Sequence, residues 1–353
     1  MKIVTILGAR PQFIKSAMIS REISKYKNIN EHVIHTGQHF DENMSKIFFT
    51  QMNIPKPKYN LNINSLSHGA MTGRQIEEIE KVLLIEKPNF VIVYGDTNST
   101  LAGALASIKL NIPIAHIEAG LRSFNRKMPE EINRVLTDHC SEILFTPTKN
   151  ASKNLLNEGI NKEKIHEVGD VMYDALLHFR LIAERNSSIL NSLNVEPKNY
   201  FLATIHRQEN TEDSTKLIDI LTAVADAPMI VILPLHPRTK KRIDNLKISI
   251  SSNLKIINPI GYLDMLVLQK NAEKIITDSG GIQKEAYFNN VHCITLREET
   301  EWKELVQHGV NEIVGTSKNK IDRAFKIKAK ISKNEIYGNG KASGKIIDII
   351  INS

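Results

Sequence analysis

The sequence predicts an α/β protein built as two doubly wound halves, and three observations carry that expectation. Short β-branched runs alternate with longer amphipathic stretches almost from end to end, which is the pattern of parallel strands joined by helical crossovers. The rhythm restarts after Gly169-Asp170. At 353 residues the chain is too long for one core and suits two domains of ordinary size.

In the first half, Ile3 to Leu7, Val33 to His35, Phe90 to Tyr94, Ile114 to Ile117 and Ile143 to Phe145 read as buried strands separated by helical patterns. In the second half the strands are Phe201 to Thr204, Ile230 to Leu233, Lys255 to Ile257, Lys274 to Thr277 and Cys293 to Leu296. A helix over Val171 to Arg185 opens that half, and another over Ile282 to Tyr287 follows Gly280-Gly281. After Tyr337-Gly338-Asn339-Gly340, the stretch Lys341 to Ile351 reads as a final helix that packs back on the first domain. The expected organisation is therefore 1–170 for the first domain, 171–338 for the second, and 339–353 for the returning helix.

Composition excludes several classes. With 41% apolar and 24% charged residues there is no case for a long disordered or fibrous region. The apolar runs fall far short of the roughly 20 residues that a membrane-spanning helix needs. The N-terminus runs at once into a Gly/Arg/Pro turn and reads as a first strand, not as a cleaved leader. Cys140 and Cys293 lie far apart without a metal-ligand pattern, so no disulfide framework and no metal site are expected, and a reducing cytoplasm fits. A net charge of +7 admits nucleic acid, a membrane surface or small anions, but the lysines lack the interleaved aromatics of a single-strand binder. No nucleic-acid partner is expected.

Doubly wound sheets bind ligands at the carboxyl ends of their strands, and chemistry-bearing residues cluster there. Gly8-Ala9-Arg10-Pro11-Gln12-Phe13-Ile14-Lys15 opens a helix with Arg10 before it and Lys15 one turn inside. The cations and the free N–H groups of a helix start make a diphosphate contact, and equally a surface turn with solvated charges. Asp96 follows one strand and Glu118 the next, while Glu130 starts a helix where an acid also serves as an ordinary dipole partner. In the second half, His206-Arg207 follows a strand in a position to meet a phosphate or transfer a proton, and His236 follows the next between two prolines. Ser279-Gly280-Gly281 joins a strand to a helix with the bare backbone that close phosphate approach requires, and Glu285, one turn further in, has the reach to meet a ribose. The loop from Arg297 to Trp302 is expected to close over the same edge.

Read in order, GARPQFIK, TGQH, GDTNSTLAG, HIEAGLRS, PEEINRVLTDH, TIHRQEN, LHPR and TDSGGIQKEA resemble the UDP-N-acetylglucosamine 2-epimerase family across essentially the whole chain. The resemblance implies a glycosyltransferase-B-like fold of two Rossmann-like domains facing a cleft, a homodimer, and a cytoplasmic isomerase of cell-surface polysaccharide synthesis. It further implies non-hydrolysing epimerisation at C2 of a UDP-linked N-acetylated sugar, through UDP elimination and a 2-acetamidoglucal, with no cofactor. Catalytic roles carry over to Asp96, Glu118, Glu130 and His206, and binding roles to Arg10, Lys15, Ser279, Gly280, Gly281 and Glu285. Arg207 and His236, placed at the same strand ends, join the expected binding set.

The chain also departs from the family pattern. Well-known members carry Thr-Glu-Arg where this sequence has Thr300-Glu301-Trp302, and a glutamine and a phenylalanine where it has Ile260 to Met265. Of the two glutamines tied to activation by UDP-N-acetylglucosamine, Gln38 matches and Asp41 stands at the second position, while Arg74 matches. GARPQFIK together with REETEW also resembles the subgroup acting on UDP-2,3-diacetamido-2,3-dideoxyglucuronate, whose extra carboxylate calls for a cation such as Arg122, Arg126 or Lys127. A UDP-sugar glycosyltransferase and a hydrolysing 2-epimerase are the competing readings of the same sites.

Overall fold

The computed structural model describes residues 1–38, 52, 54–235, 237–246, 252–328 and 335–353. By internal contacts the chain forms two compact units, Met1–Leu177 with Glu335–Ser353, and His178–Asn334. The division falls inside the helix Val171–Asn186 and not at residue 170, because the first turns of that helix are tied into the first unit.

The first unit carries a parallel sheet of β1 (Lys2–Leu7), β2 (Asn30–His35), β3 (Tyr59–Asn60), β4 (Phe90–Tyr94), β5 (Ile114–Ile117), β6 (Ile143–Thr146) and β7 (Ile165–Glu167). Their spatial order is β3-β2-β1-β4-β5-β6-β7, with Leu7 beside His35, Thr5 beside Ile92 and Tyr94 beside Ile117. The central strands β4, β5 and β6 are buried along their whole length, which is why they read as unbroken apolar runs and not as alternating ones. On one face Val4, Ile6, Ile34, Val91 and Val93 pack against Ile79 and Leu83 of the helix His68–Glu86 and the alanines of the helix Asn98–Lys109.

The strand order runs outward from β1 in one direction and then resumes at β4 on the other side, so a switch point lies between the carboxyl ends of β1 and β4. The last helix, Ala342–Asn352, belongs to this unit and buries Ile346, Ile347 and Ile350. Its own N-cap residue supplies no side-chain bond; Asp174 does so instead, accepting from Ala342 N at 3.1 Å, Ser343 N at 2.7 Å and Ser343 Oγ at 2.6 Å.

The second unit repeats the plan with β8 (Tyr200–Thr204), β9 (Ile230–Pro234), β10 (Leu254–Ile257), β11 (Lys274–Thr277), β12 (His292–Thr295) and β13 (Asn311–Ile313). All pairs are parallel in the order β10-β9-β8-β11-β12-β13, which puts its switch point between β8 and β11. Leu217, Ile220 and Val224 of the helix Ser214–Ala225 cover Val231, Leu233, Ile276 and Ile294. No helix among the described residues is long and apolar enough to cross a membrane.

Candidate active site

In the first unit the two turns at the switch point are tied together by Gln12, which the sequence reading passed over. Its buried Oε1 accepts from Gly8 N at 2.7 Å and Ala9 N at 3.0 Å. Its Nε2 reaches Tyr94 O at 2.9 Å, Thr97 Oγ1 at 3.0 Å and Thr100 Oγ1 at 2.9 Å. Arg10 stands half-buried at the start of the helix Arg10–Ile23. Lys15, one turn inside, does not face outward: it is buried and forms an ion pair with Glu118.

Glu118 sits immediately after β5 in the left-handed region, with φ +72°, where a residue bearing a Cβ is strained by about 1–3 kcal/mol. Glu118 N and Ala119 N, bonded to Phe145 O at 3.1 and 3.0 Å, help to hold the backbone there. The Glu118 carboxylate lies over the neighbouring turn: a Cβ on Gly95, whose own φ is +64°, would stand 3.3 Å from Glu118 Oε2. Asp96 follows Gly95 directly. Its carboxylate is 31% exposed and pairs with Arg134 Nη2 at 2.5 Å.

Arg134 lies on the helix Pro129–Cys140, whose first turn holds Glu130 and Glu131. These adjacent acids have different surroundings. Glu131 is buried, accepts from Ser123 N and Phe124 N at 2.9 Å each, and pairs with Arg134 at 3.1 Å. Burial pushes its carboxyl up, but those backbone N–H groups and the guanidinium outweigh burial and hold it below the usual carboxylate range. Glu130 is half-buried, and no partner for its carboxylate occurs among the described residues.

In the second unit Asp278 spans the switch point. Fully buried after β11, it accepts from His206 N at 3.1 Å, Arg207 N at 3.0 Å and Asn210 Nδ2 at 3.1 Å, and it meets His206 Nδ1 at 2.9 Å. Burial raises the Asp278 carboxyl, and the contacts from His206, Arg207 and Asn210 together bring it below the ordinary range. The His206 ring is 60% exposed with its Nδ1 fixed, so Nε2 is presented outward in a set orientation. Arg207 is 23% exposed in its side chain and lies 3.5 Å from Glu209.

Ser279 caps the helix Gly280–Phe288, its Oγ accepting from Ile282 N at 3.5 Å. The bare backbone of Gly280 is used by a neighbour: a Cβ there would meet Glu301 Oε1 at 2.5 Å. Gly281 beside it is half-buried, and a Cβ on it would meet only Ser279 Oγ, at 4.0 Å. Glu301 is held by the buried Arg297 at 2.8 Å, and Trp302 is buried with Lys284 Nζ 4.2 Å from its ring centroid. The Arg297 to Trp302 segment, expected as a charged loop closing over the strand-end edge, is largely packed inward, with Arg297 and Trp302 buried and Glu301 against Gly280. Glu285 is also turned inward, accepting from Gln269 Nε2 at 2.7 Å and Tyr262 OH at 3.3 Å. His236 and Asp41 lie outside the described residues.

The first unit therefore gathers carboxylates and buried cations on adjacent strand-end turns, and the second presents an oriented imidazole beside a glycine-rich helix start. The family model for UDP-N-acetylglucosamine 2-epimerase matches residues 21–351. A Methanococcus maripaludis protein called a UDP-N-acetylglucosamine 2-epimerase homolog is 55% identical, covering 100% of both chains. The UDP-2,3-diacetamido-2,3-dideoxy-D-glucuronate 2-epimerase of Pseudomonas aeruginosa is 49% identical over 99% of both. The crystal structure of the Methanocaldococcus jannaschii UDP-GlcNAc 2-epimerase with UDP-GlcNAc and UDP, of the glycosyltransferase-B-like class, is 49% identical and superposes with a TM-score of 0.94 over 100% of both chains. With matches over its full length to a family of isomerases, the chain belongs to the UDP-N-acetylglucosamine 2-epimerase family.

Proposed function

We propose that the chain interconverts a UDP-linked 2-acetamido sugar and its C2 epimer without net hydrolysis. The observation that carries this reading is the gathering of Asp96, Glu118 and Glu130 at the strand-end turns of one sheet, two of them paired to the buried cations Arg134 and Lys15. C2 of such a sugar is not next to a carbonyl, so its proton leaves only when the anomeric bond is breaking. The C1–O bond opens and its electron pair departs on UDP, a carboxylate takes the C2 proton, and a C1–C2 double bond forms. A second acid returns a proton to the opposite face of C2 while a UDP oxygen attacks C1. The sequence is redox-neutral and takes no nicotinamide.

Roles follow from chemistry and exposure. Asp96 and Glu130 are the acids open enough to exchange protons, and Glu118, held in place by Lys15, is the carboxylate assigned to face positive charge on the ring. Lys15 is accordingly a partner of Glu118 in this reading; in the first unit Arg10 at its helix start, and in the second unit His206, Arg207 and the Ser279-Gly280-Gly281 turn, are each suited to meet an anion. A cytoplasmic, homodimeric enzyme supplying cell-surface polysaccharide precursors completes the proposal; free Cys140 and Cys293 fit a reducing compartment.

A second substrate, the diacetamido glucuronate, stands beside UDP-N-acetylglucosamine because the chain is 49% identical to the Pseudomonas protein and equally to the M. jannaschii UDP-N-acetylglucosamine enzyme. Arg122 is not the cation for its C6 carboxylate, because it is buried against Asp138 and Glu158; exposed Arg126 and Lys127 take that assignment. The test is NMR of both UDP-sugars with the protein in heavy water. Deuterium at C2 together with the 2-epimer is expected. Release of free sugar and UDP, or transfer to an added acceptor without exchange at C2, would overturn the reading in favour of a hydrolase or a transferase.

A further inference from the structure

One buried histidine joins the turn before Asp96 to the helix that carries Glu130. His116, on β5 and fully buried, places Nε2 2.8 Å from Gly95 O and Nδ1 2.7 Å from Asp138 Oδ1. A peptide carbonyl only accepts, so Nε2 carries a hydrogen. Asp138, on the helix Pro129–Cys140 and fully buried, has its other oxygen occupied by Gly120 N at 3.1 Å and Arg122 Nη1 at 2.7 Å. Burial pushes the Asp138 carboxyl up, but His116 and Arg122 hold it below the ordinary range. Both ring nitrogens are therefore bonded, Nε2 to the turn before Asp96 and Nδ1 to the helix that carries Glu130.

We propose that His116 is a buried positioning residue that, through Asp138, sets the spacing of Asp96, Glu118 and Glu130. Its bond to Gly95 fixes the residue before Asp96, and Gly95 N is itself bonded to Ile117 O at 2.9 Å, next to Glu118. Asp138 holds Gly120, two residues past Glu118, and rides on the helix whose first turn bears Glu130 and whose Arg134 grips Asp96. Beside the pair, Arg122 Nη2 stands 2.7 Å from Glu158 Oε2 and His139 Nε2 3.6 Å from the same oxygen, so the guanidinium that holds Asp138 is itself anchored on its other side. Because it touches no reacting atom, His116 acts by fixing where the acids stand.

The proposal rests on the epimerase reading, and its test is readable apart from it. The full chain, labelled with 15N-histidine, is examined by two-bond 1H–15N correlation at neutral pH, the His116 signal being assigned by its loss in His116→Gln. Nε2 is expected to resonate as a protonated, hydrogen-bonded nitrogen; a lone pair on Nε2 would break the tie to Gly95 O and overturn the proposal whether or not the protein epimerises. In Asp138→Asn one acceptor oxygen becomes a donor, so the amide cannot hold His116, Gly120 and Arg122 as the carboxylate does. Its kcat for C2 exchange is expected to fall about tenfold or more, with KM and UDP affinity within about twofold. Wild-type kcat in the folded variant would sink the idea; if Asp138→Asn does not fold, the same split is read in His116→Gln, whose amide still donates to Gly95 O. Absence of C2 exchange in the wild type would instead be a failure of the functional reading.

Discussion

Arg134 Nη2 stands 2.5 Å from Asp96 Oδ2 while its Nη1 stands 3.1 Å from Glu131 Oε2, so one buried guanidinium joins the turn after β4 to the helix that begins at Pro129. A planar fork can satisfy two carboxylates at once; an ammonium is a single point. Replacing Arg134 with Gln leaves Glu131 buried without its cation, at a cost on the order of 3–5 kcal/mol. Turnover is expected to fall at least about tenfold, since Asp96 loses its orientation, and Arg134→Lys is expected to lie between. Urea unfolding and C2 deuterium exchange measure the two effects; wild-type exchange in a folded Arg134→Gln protein would refute the link.

How much of this was legible in the sequence depends on how far apart the partners lie. The turns bearing Asp96, Glu118, His206 and Ser279 could be read because each follows a short β-branched run, and parallel sheets put such turns at one edge. The strands β3, β7 and β13 could not, being two or three residues long at sheet edges, too short to display any period. Gln12, Arg134 and the His116–Asp138 pair were also hidden: their partners are 82, 38 and 22 residues away, and nothing local marks them. Glu130 and Glu131 show the limit most sharply. Adjacent and chemically alike, they are separated only by which one meets Ser123, Phe124 and Arg134 in the fold.

Asp278 makes a similar demand on one carboxylate. It accepts two backbone N–H groups, the Asn210 amide and His206 Nδ1, which only an ionised acid can do. In Asp278→Asn the amide nitrogen would face a donor, so the His206-Arg207 turn should shift and the ring should lose its set orientation. UDP affinity is expected to drop about tenfold, near 1.4 kcal/mol, as measured by calorimetry. Unchanged affinity would separate His206 from UDP binding.

At the opposite end of the first sheet, Glu86 collects Lys58 Nζ at 2.7 Å, Tyr59 OH at 2.5 Å, His32 Nδ1 at 2.8 Å and Lys2 Nζ at 3.2 Å. Burial pushes the Glu86 carboxyl up, but these four donors outweigh it and hold it far below the ordinary range. A carboxylate depressed in the fold contributes stability that is complete above its unfolded value of about 4.3 and is lost as pH falls through the folded one. Glu86→Gln should therefore destabilise the protein at pH 7 by a few kcal/mol at most and flatten the acid limb of its stability profile below about pH 4. Urea midpoints compared at pH 7 and in acid decide it; an equal loss at both would mean that charge is not the cause.

Glu301 tests whether the Ser279-Gly280-Gly281 turn holds the diphosphate. Its Oε1 occupies the approach to Gly280, 2.5 Å from where a Cβ would stand, at the positive end of the helix Gly280–Phe288, and Arg297 anchors its other oxygen at 2.8 Å. A diphosphate arriving at the same N–H groups meets that carboxylate and must move it aside. Glu301→Gln removes the repulsion and leaves the Arg297 charge unneutralised beside the incoming anion, so UDP should bind about threefold tighter or more even as the unliganded protein loses stability. The gain should shrink in high salt, because it is electrostatic at a site that solvent ions can enter. Calorimetric titration with UDP at low and high ionic strength reads both effects, and weaker or unchanged binding in a folded Glu301→Gln protein would put the diphosphate at some other helix start.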